Sequence, residues 1–177
     1  MISEVELQSQ PKNGSPSQKA ATKAASDEVQ LVEFLLGGEQ FAIDLFDVKE
    51  IVEYSKVTEL PDTPPYIRGV IDLRGEIYTI VDLKNKLNVK DGKQVNDEDK
   101  KVVVMDQRIT NSRMGMLVDN VQNVSKISSE QIEKSTVSSC AKENCIIGII
   151  RKIVNKGGKE STELVIFLDI KKVLQDI

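Results

Sequence analysis

Side chains that could do acid-base or nucleophilic chemistry are unevenly represented in this sequence. Its 177 residues include 28 acidic residues and two cysteines but no histidine, so a general base would have to be a carboxylate. The sequence also contains no Gly-x-Ser-x-Gly elbow and no glycine-rich phosphate-binding motif. We therefore predict a protein that is not an enzyme and that needs no cofactor.

The two cysteines, Cys140 and Cys145, are spaced as Cys-x4-Cys, with no second pair and no histidine to complete a zinc site. We predict two reduced thiols, without a metal or disulfide role. An enzyme that uses one of them as a nucleophile is a weaker alternative, because no base accompanies it. Residues 88–100 are polar and charged but lack the spacing of a calcium-binding loop, and they predict a solvated connector.

The aspartates with the most suggestive positions each follow an apolar segment, where a helix-capping role explains them better than catalysis. They are Asp44, Asp82, Asp119 and Asp169. Gly37-Gly38 and Gly157-Gly158 indicate hairpin turns rather than anion sites, because glycine adopts the positive φ of tight turns.

Strand signals dominate the chain after residues 1–27, a stretch rich in Ser, Gln and Lys that predicts a disordered tail. Val, Ile and Leu carry most of the apolar content, which favours β-sheet. Arg74-Gly75 predicts a tight hairpin turn, and residues 82–87 predict a helical turn. A further short helix is predicted after Asp44 from residues at helical spacing, and a strand is predicted through Val57 and Leu60. The residues at helical spacing are Leu45, Val48, Ile51 and Val52.

The second half of the chain is similar to a divergent copy of the first. Residues 164–174 repeat the order of residues 80–87: an apolar run, Asp, Ile or Leu, Lys, two residues and Leu. We predict an all-β fold of two five-stranded barrels with short helices at the barrel ends. The predicted subdomains span about 28–90 and 101–170, with a C-terminal helix at 169–177. A single ten-stranded sandwich is the alternative.

The net charge of −4 and the pI of about 5.1 argue against a nucleic-acid binder, which normally presents a basic surface. The sequence contains no apolar run of about 18 residues and no secretion-signal pattern at its start. These features predict a cytoplasmic protein that does not insert into the membrane.

Residues 60–77, Leu-Pro-Asp-Thr-Pro-Pro-Tyr-Ile-Arg-Gly-Val-Ile-Asp-Leu-Arg-Gly-Glu-Ile, resemble the signature of the CheW family. Residues 41–52 and residues 114–124 are similar to the same family, so that the resemblance covers about residues 29–175. Thr79 stands where the family usually has Pro, and Asp72 stands where Asn is common.

The resemblance implies two SH3-like barrels and a role in chemotaxis as an adaptor between chemoreceptors and the histidine kinase CheA. It implies binding of the receptor's cytoplasmic coiled-coil tip and of the CheW-like regulatory domain of CheA, by a chain that is monomeric outside signalling arrays. The residues that it implies for receptor contact are Val48, Glu50, Arg74 and Ile77. Those that it implies as structural at binding surfaces are Gly69, Gly75, Gly115 and Val124.

The residues alone leave simpler explanations open: Val48 as a core residue, Glu50 as a surface residue of the predicted helix and Arg74 as a solvated turn residue. A CheV-like fusion or the kinase's own regulatory domain is the alternative within the family. We expect the stand-alone adaptor, since the sequence shows neither a receiver nor a kinase domain. A nucleic-acid-binding pair of SH3-like barrels is the alternative from another class, and the acidic pI weighs against it.

Overall fold

The computed structural model describes residues 28–90, 92, 95–134 and 145–177. In this part of the chain nearly all regular structure is β-strand, and the two α-helices, α1 (Leu83–Leu87) and α2 (Ile170–Leu174), are short. No helix among these residues is long and apolar enough to cross a membrane. The strands are β1 (Glu28–Leu36), β2 (Glu39–Asp44), β3 (Val48–Glu53), β4 (Ile67–Leu73), β5 (Glu76–Asp82), β6 (Lys101–Met105), β7 (Met114–Val118), β8 (Asn120–Ser128), β9 (Ile132–Lys134), β10 (Ile146–Lys156) and β11 (Lys159–Leu168).

The strands form two sheets that share one plan. The six-stranded sheet has the order β8-β1-β2-β11-β10-β9, and the five-stranded sheet has the order β3-β6-β7-β5-β4. In each sheet a hairpin from one half of the chain, β1–β2 or β6–β7, pairs in parallel with a hairpin from the other half, through β2–β11 or β5–β7. This repeated plan agrees with the duplication inferred from the sequence.

The sheets do not follow the subdomain boundaries predicted at 28–90 and 101–170. Strands β1 and β2 leave the first half of the chain to join β8 to β11, while β3, β4 and β5 join β6 and β7. The contiguous subdomains are therefore corrected to two interleaved ones, in which each half contributes its first two strands to one sheet and its later strands to the other.

Each sheet surrounds its own apolar core, and its five long strands all contribute to that core. In the six-stranded sheet the core is Leu31, Ala42, Ile127, Ile150, Val165 and Phe167. In the five-stranded sheet it is Ile71, Tyr78, Ile80, Val102, Val104 and Leu117, with Val52 of β3 packed against it. Because strands from opposite sides of each sheet reach one cluster, each sheet is curled around its core into a barrel. The all-β prediction of two small barrels is confirmed, with β9 as an additional short strand in one of them.

A third and larger core lies where the two barrels meet. It contains Phe34 and Phe41, stacked with ring centroids 6.2 Å apart, together with Met105 and Met116 from the five-stranded barrel. Cys145 is a buried thiol of this inter-barrel core, while Cys140 lies outside the described residues. The barrels therefore share buried apolar surface and support each other.

The helix predicted after Asp44 is wrong. Leu45–Asp47 form a single 3-10 turn, in which Asp44 Oδ1 accepts the Phe46 N–H at 2.9 Å, and the chain then enters β3. Pairing with β6 gives β3 an alternating pattern of burial, so Val48 and Glu50 lie on a strand. The predicted strand through Val57 and Leu60 is also wrong, since only a single bridge from Thr58 to Val70 forms there.

Three of the four predicted capping aspartates do cap. Asp82 accepts the Asn85 N–H at the start of α1, and Asp169 accepts the Lys172 N–H at the start of α2. Asp119 is the exception, because it precedes a strand and its side chain is buried.

Asp119 instead joins separate segments. Its Oδ2 accepts the N–H of Gly37 at 2.6 Å, its Oδ1 lies 3.5 Å from Lys84 Nζ, and its own N–H donates to the Leu35 carbonyl oxygen at 3.0 Å. The β1–β2 turn is thereby attached to the chain between β7 and β8 and to α1. A buried carboxylate with these partners is a structural link rather than a cap.

The interiors of the two barrels differ at one set of equivalent positions. In the six-stranded barrel Glu33 is 3% exposed and bonds to Lys152 and Ser125. The two barrels can be aligned on two equivalent core residues, Leu31 of β1 and Val102 of β6. Leu31 pairs with Ser125 and Val102 pairs with Val52, so Ser125 and Val52 are equivalent. Glu33 and Val104 each lie two residues after the core residue of their strand and are equivalent as well. Lys152 and Leu73 are also equivalent, because each lies four residues after the glycine that follows a β-bulge, Gly148 or Gly69. The five-stranded barrel therefore has Val104, Val52 and Leu73 at the positions of Glu33, Ser125 and Lys152.

Candidate functional site

The β4–β5 hairpin ends in a tight two-residue turn. Leu73 pairs with Glu76, and between them Arg74 and Gly75 have φ of 55° and 83°. Positive φ at both central residues defines a type of hairpin turn whose twist matches that of the flanking strands. Asp72 Oδ1 stabilises this turn by accepting the Gly75 N–H at 2.7 Å. The predicted hairpin is confirmed, and it presents Arg74 at its tip with the side chain 82% exposed.

β3 carries two of the other predicted contact residues, Val48 and Glu50, and places Glu50 beside this hairpin. Glu50 Oε2 lies 3.2 Å from Arg74 Nη2, and the Glu50 side chain is 24% exposed. Val48 is half-buried against the inter-barrel core, and Ile77 is 56% exposed. Glu50 and Arg74 therefore contact each other from two segments distant in sequence, with Val48 on the same strand as Glu50 and Ile77 on the same hairpin as Arg74. The arginine can donate further hydrogen bonds.

A second set of polar contacts lies beside the Glu50–Arg74 pair. Tyr78 is 1% exposed, yet its hydroxyl donates to Glu76 Oε2 at 2.9 Å and accepts from Lys49 Nζ at 2.7 Å. Glu76 Oε1 accepts from Arg113 Nη2 at 2.9 Å, and Lys49 Nζ also lies 3.5 Å from Glu76 Oε2. These four residues are called the Glu76 network below. The network was not predicted from the sequence, because its members come from three segments. Only the two-residue spacing of Glu76 and Tyr78 on one strand indicates a shared face.

The network favours the charged forms of Glu76 and Lys49. The Tyr78 hydrogen bond and then the charge of Arg113 hold the pKa of Glu76 below its ordinary value. The Tyr78 hydrogen bond also raises the pKa of Lys49, with the charge of Glu76 adding to it. A depressed carboxyl pKa and a raised ammonium pKa mean that both groups stay ionised over a wider pH range than isolated side chains do.

The predicted structural glycines have distinct reasons to be glycine. Gly69 has φ of 137°, and a Cβ there would lie 2.2 Å from the Thr58 carbonyl oxygen. At Gly115 a Cβ would lie 2.6 Å from Val102 Cγ1 inside the five-stranded barrel. Both positions are therefore closed to larger residues, whereas Gly75 has open space around it and is required for its φ alone.

Val124 does not lie on the barrel that carries the other predicted residues. It lies on β8 of the six-stranded barrel, opposite Val32, and is 54% exposed. The equivalent position of the five-stranded barrel is Ile51 on β3, opposite Val103, which is 38% exposed. Val124 thus belongs to the matching face of the other barrel.

Ile77 has a close structural counterpart on the other barrel. Ile77 pairs with Asp72 across the β4–β5 hairpin, and Leu164 pairs with Arg151 across the β10–β11 hairpin. Leu164 is 54% exposed, almost the same as Ile77. The pair provides a matched comparison between the two faces of the molecule.

These features define a class of protein before any relative is considered. Among the described residues no cluster of three or more Cys, Asp or Glu side chains could hold a metal ion. What this part of the described surface offers is an exposed isoleucine and paired charges on a tight hairpin, which suit recognition of another protein. The fold and the site define a two-barrel protein-interaction domain.

Comparison with known proteins identifies the family. The family model described as CheW-like domain matches residues 30–177. Chemotaxis protein CheW of Treponema pallidum (strain Nichols) is 28% identical over 151 residues, which cover 85% of each chain. Chemotaxis protein CheW of Klebsiella aerogenes is 31% identical over 141 residues, which cover 80% of this chain and 78% of that one.

The fold comparison agrees. The crystal structure of the scaffolding protein TtCheW from Thermoanaerobacter tengcongensis matches with a TM-score of 0.66 and 26% identity, over 82% of this chain and 86% of that one. The chain belongs to the CheW family, and the predicted resemblance is confirmed.

Proposed function

We propose that this chain is a chemotaxis coupling protein, a scaffold without catalytic activity that links chemoreceptor cytoplasmic tips to the histidine kinase CheA. The support is membership of the CheW family, together with relatives named as chemotaxis proteins and a structural neighbour named as a scaffolding protein. The protein acts by holding two partners in a fixed relation, so that individually modest contacts combine through effective concentration.

The proposed receptor-binding surface consists of Val48, Glu50, Arg74 and Ile77. The observation that carries this proposal is the 3.2 Å contact between Glu50 and Arg74, which joins β3 to the hairpin tip. Ile77, at 56% exposure, offers an uncovered apolar side chain close in sequence to Arg74 for contact with the partner.

A receptor tip is a helical coiled coil, and the proposed surface suits a helix. Ile77 and Val48 provide apolar contacts for the apolar stripe of one helix. Arg74 pairs with Glu50 through one terminal nitrogen, and its exposed guanidinium has other N–H donors for a carboxylate or a carbonyl oxygen of the receptor. Because Glu50 already holds Arg74 in place, less side-chain freedom is lost when the receptor binds.

The second partner is the CheW-like regulatory domain of CheA, and we assign no surface to it. The protein is proposed to reside in the cytoplasm, to reach the membrane only through receptors and to be monomeric outside arrays.

The test is calorimetric titration of this protein against a chemoreceptor cytoplasmic tip fragment and against the CheA regulatory domain from the same organism. Ile77→Ser and Arg74→Asn should each weaken receptor binding about tenfold or more, as expected for central interface residues, and leave kinase binding unchanged. Arg74→Glu, which also places a second carboxylate beside Glu50, should abolish receptor binding.

The matched control is Leu164→Ser, which removes an equally exposed apolar side chain from the other barrel. This variant should bind the receptor tip with unchanged affinity. If Ile77→Ser and Leu164→Ser affect receptor affinity equally, the surface around Arg74 is not the receptor site. If the folded wild-type protein binds neither partner, the coupling function itself is wrong.

A further inference from the structure

The β3 strand and the β4–β5 hairpin carry the proposed receptor contacts, yet no backbone hydrogen bonds join them. In the strand order β3-β6-β7-β5-β4 they lie at opposite ends of the sheet, separated by β6 and β7. The Thr58–Val70 bridge joins β4 to the segment after β3, and beyond it, near the hairpin tip, the relative position of β3 and the hairpin depends on side chains. Two neighbouring residues of β3 supply these links: Glu50 to Arg74 and Lys49 to Glu76.

The two links flank one turn and have opposite polarity. Arg74 is the first turn residue and pairs with an acid of β3, while Glu76 follows the turn and pairs with a base of β3. Each of these ion pairs is exposed, and an exposed pair alone has little effect on stability. Glu76 differs from an ordinary surface carboxylate because each of its oxygens also accepts a hydrogen bond from another side chain, Oε2 from Tyr78 of its own strand and Oε1 from Arg113.

Tyr78 anchors this arrangement in the barrel interior. Its ring belongs to the core of the five-stranded barrel, and its hydroxyl lies between Lys49 Nζ at 2.7 Å and Glu76 Oε2 at 2.9 Å. Arg113, directly before β7, holds the other Glu76 oxygen at 2.9 Å. A buried ring has few alternative positions, so its hydroxyl fixes the two charged groups that it contacts.

We infer that Lys49, Glu76 and Tyr78 are positioning residues for receptor binding, which hold the hairpin tip so that Arg74 and Ile77 meet the receptor helix together with Val48. The inference rests on the proposed function and adds residues that do not themselves touch the receptor. The network lowers the conformational freedom that the tip loses on binding, and it thereby increases affinity without adding a contact to the partner.

Tyr78→Phe is the sharpest test, because it removes the hydroxyl and keeps the buried ring. The variant should bind the chemoreceptor tip fragment about 2- to 10-fold more weakly, the range expected for loss of one or two hydrogen bonds. Its affinity for the CheA regulatory domain should stay unchanged. Amide hydrogen exchange at the Arg74–Ile77 turn should become faster in the free protein, which reports the loss of positioning directly.

A double-mutant cycle separates positioning from general destabilisation. In an Arg74→Asn, Ile77→Ser background the hydroxyl has no contact residue left to position, so Tyr78→Phe should cause no further loss of receptor affinity. Gln40→Leu is the matched control, since it removes the 2.7 Å bond to Glu163 at the equivalent place on the other barrel. This control should leave receptor affinity unchanged.

Two results would overturn the inference. If Arg74→Asn weakens receptor binding but Tyr78→Phe does not, the receptor site stands and the network has only a structural role. If Tyr78→Phe causes the same loss in the double-variant background, its effect does not pass through the hairpin tip. Should Arg74→Asn and Ile77→Ser themselves have no effect, the proposed site and the inference both fail.

Discussion

Replacing Lys152 with leucine is the most informative perturbation of the fold, because it separates the two partners of a buried charge pair. Lys152 is the only cation that contacts Glu33 among the described contacts, and the side chains are 22% and 4% exposed. In the other barrel leucine already stands at the equivalent position, Leu73, next to an apolar interior. The substitution therefore introduces a side chain that this type of barrel accommodates and leaves Glu33 as an uncompensated carboxylate.

The expected cost is large for a domain of this size. Removing one partner of a buried ion pair typically costs about 3–5 kcal/mol. Total unfolding free energies are about 5–15 kcal/mol, so Lys152→Leu should remove a substantial part of the stability. The triple variant Glu33→Val, Ser125→Val, Lys152→Leu recreates the interior of the five-stranded barrel. It should be as stable as the wild type or up to about 4 kcal/mol more stable, because the desolvation cost disappears together with the pair.

Urea unfolding followed by far-ultraviolet circular dichroism at pH 7 measures these differences, since the chain has no tryptophan. Arg151→Leu is the matched control: it removes the neighbouring basic residue of β10, whose pair with Glu133 at 3.0 Å lies on the surface. This control should change the unfolding free energy by less than about 1 kcal/mol. A Lys152→Leu variant no less stable than Arg151→Leu, or a triple variant less stable than Lys152→Leu, would refute the reasoning.

Arg74→Asn should raise the unfolding free energy by about 1 kcal/mol, because asparagine tolerates positive φ better than arginine; an unchanged urea midpoint would contradict this. Asp119→Ala should lower the unfolding free energy by about 1–3 kcal/mol and speed hydrogen exchange of the Gly37 amide, since a buried donor loses its acceptor. Burial raises the pKa of Asp47 above 3.8, so the folded state binds the proton more tightly than the unfolded state. As pH rises from 3.8 through the pKa of the folded state, the ionisation of Asp47 therefore lowers the unfolding free energy. Asp47→Asn should therefore raise Tm at pH 7, and this gain should vanish as pH falls below 3.8; a gain independent of pH would exclude this cause.

Local chemistry made several elements predictable. The turns at Gly37-Gly38 and Arg74-Gly75 follow from glycine's access to positive φ, and the caps at Asp82 and Asp169 follow from a short acceptor placed before a helical turn. Family resemblance added Val48, Glu50, Arg74 and Ile77 as candidate contacts. Their receptor-binding role stays a prediction, and the proximity of Glu50 to Arg74 is what supports it.

Predictions failed where contact with a segment far along the chain decided between two structures that the local sequence allows. The apolar spacing after Asp44 suits a helix, but the free backbone edge of β6 is paired by residues 48–53, and sheet pairing overrode the helical pattern. Asp119 follows an apolar segment, as the capping aspartates do, yet no helix follows it. Its carboxylate instead accepts a hydrogen bond from the Gly37 N–H.

The sequence by itself determined most of the strands other than β3, where they turn and that the pattern occurs twice, because alternation, glycine turns and caps act over a few residues. Only the tertiary structure decided which strands pair, since a hydrophobic strand pattern is compatible with many partners. It therefore decided the exchange of strands between the halves, the buried Glu33 and Lys152 pair and the Glu76 network. Each of these joins segments far apart in the chain, and these segments meet only when the strands of a barrel have paired.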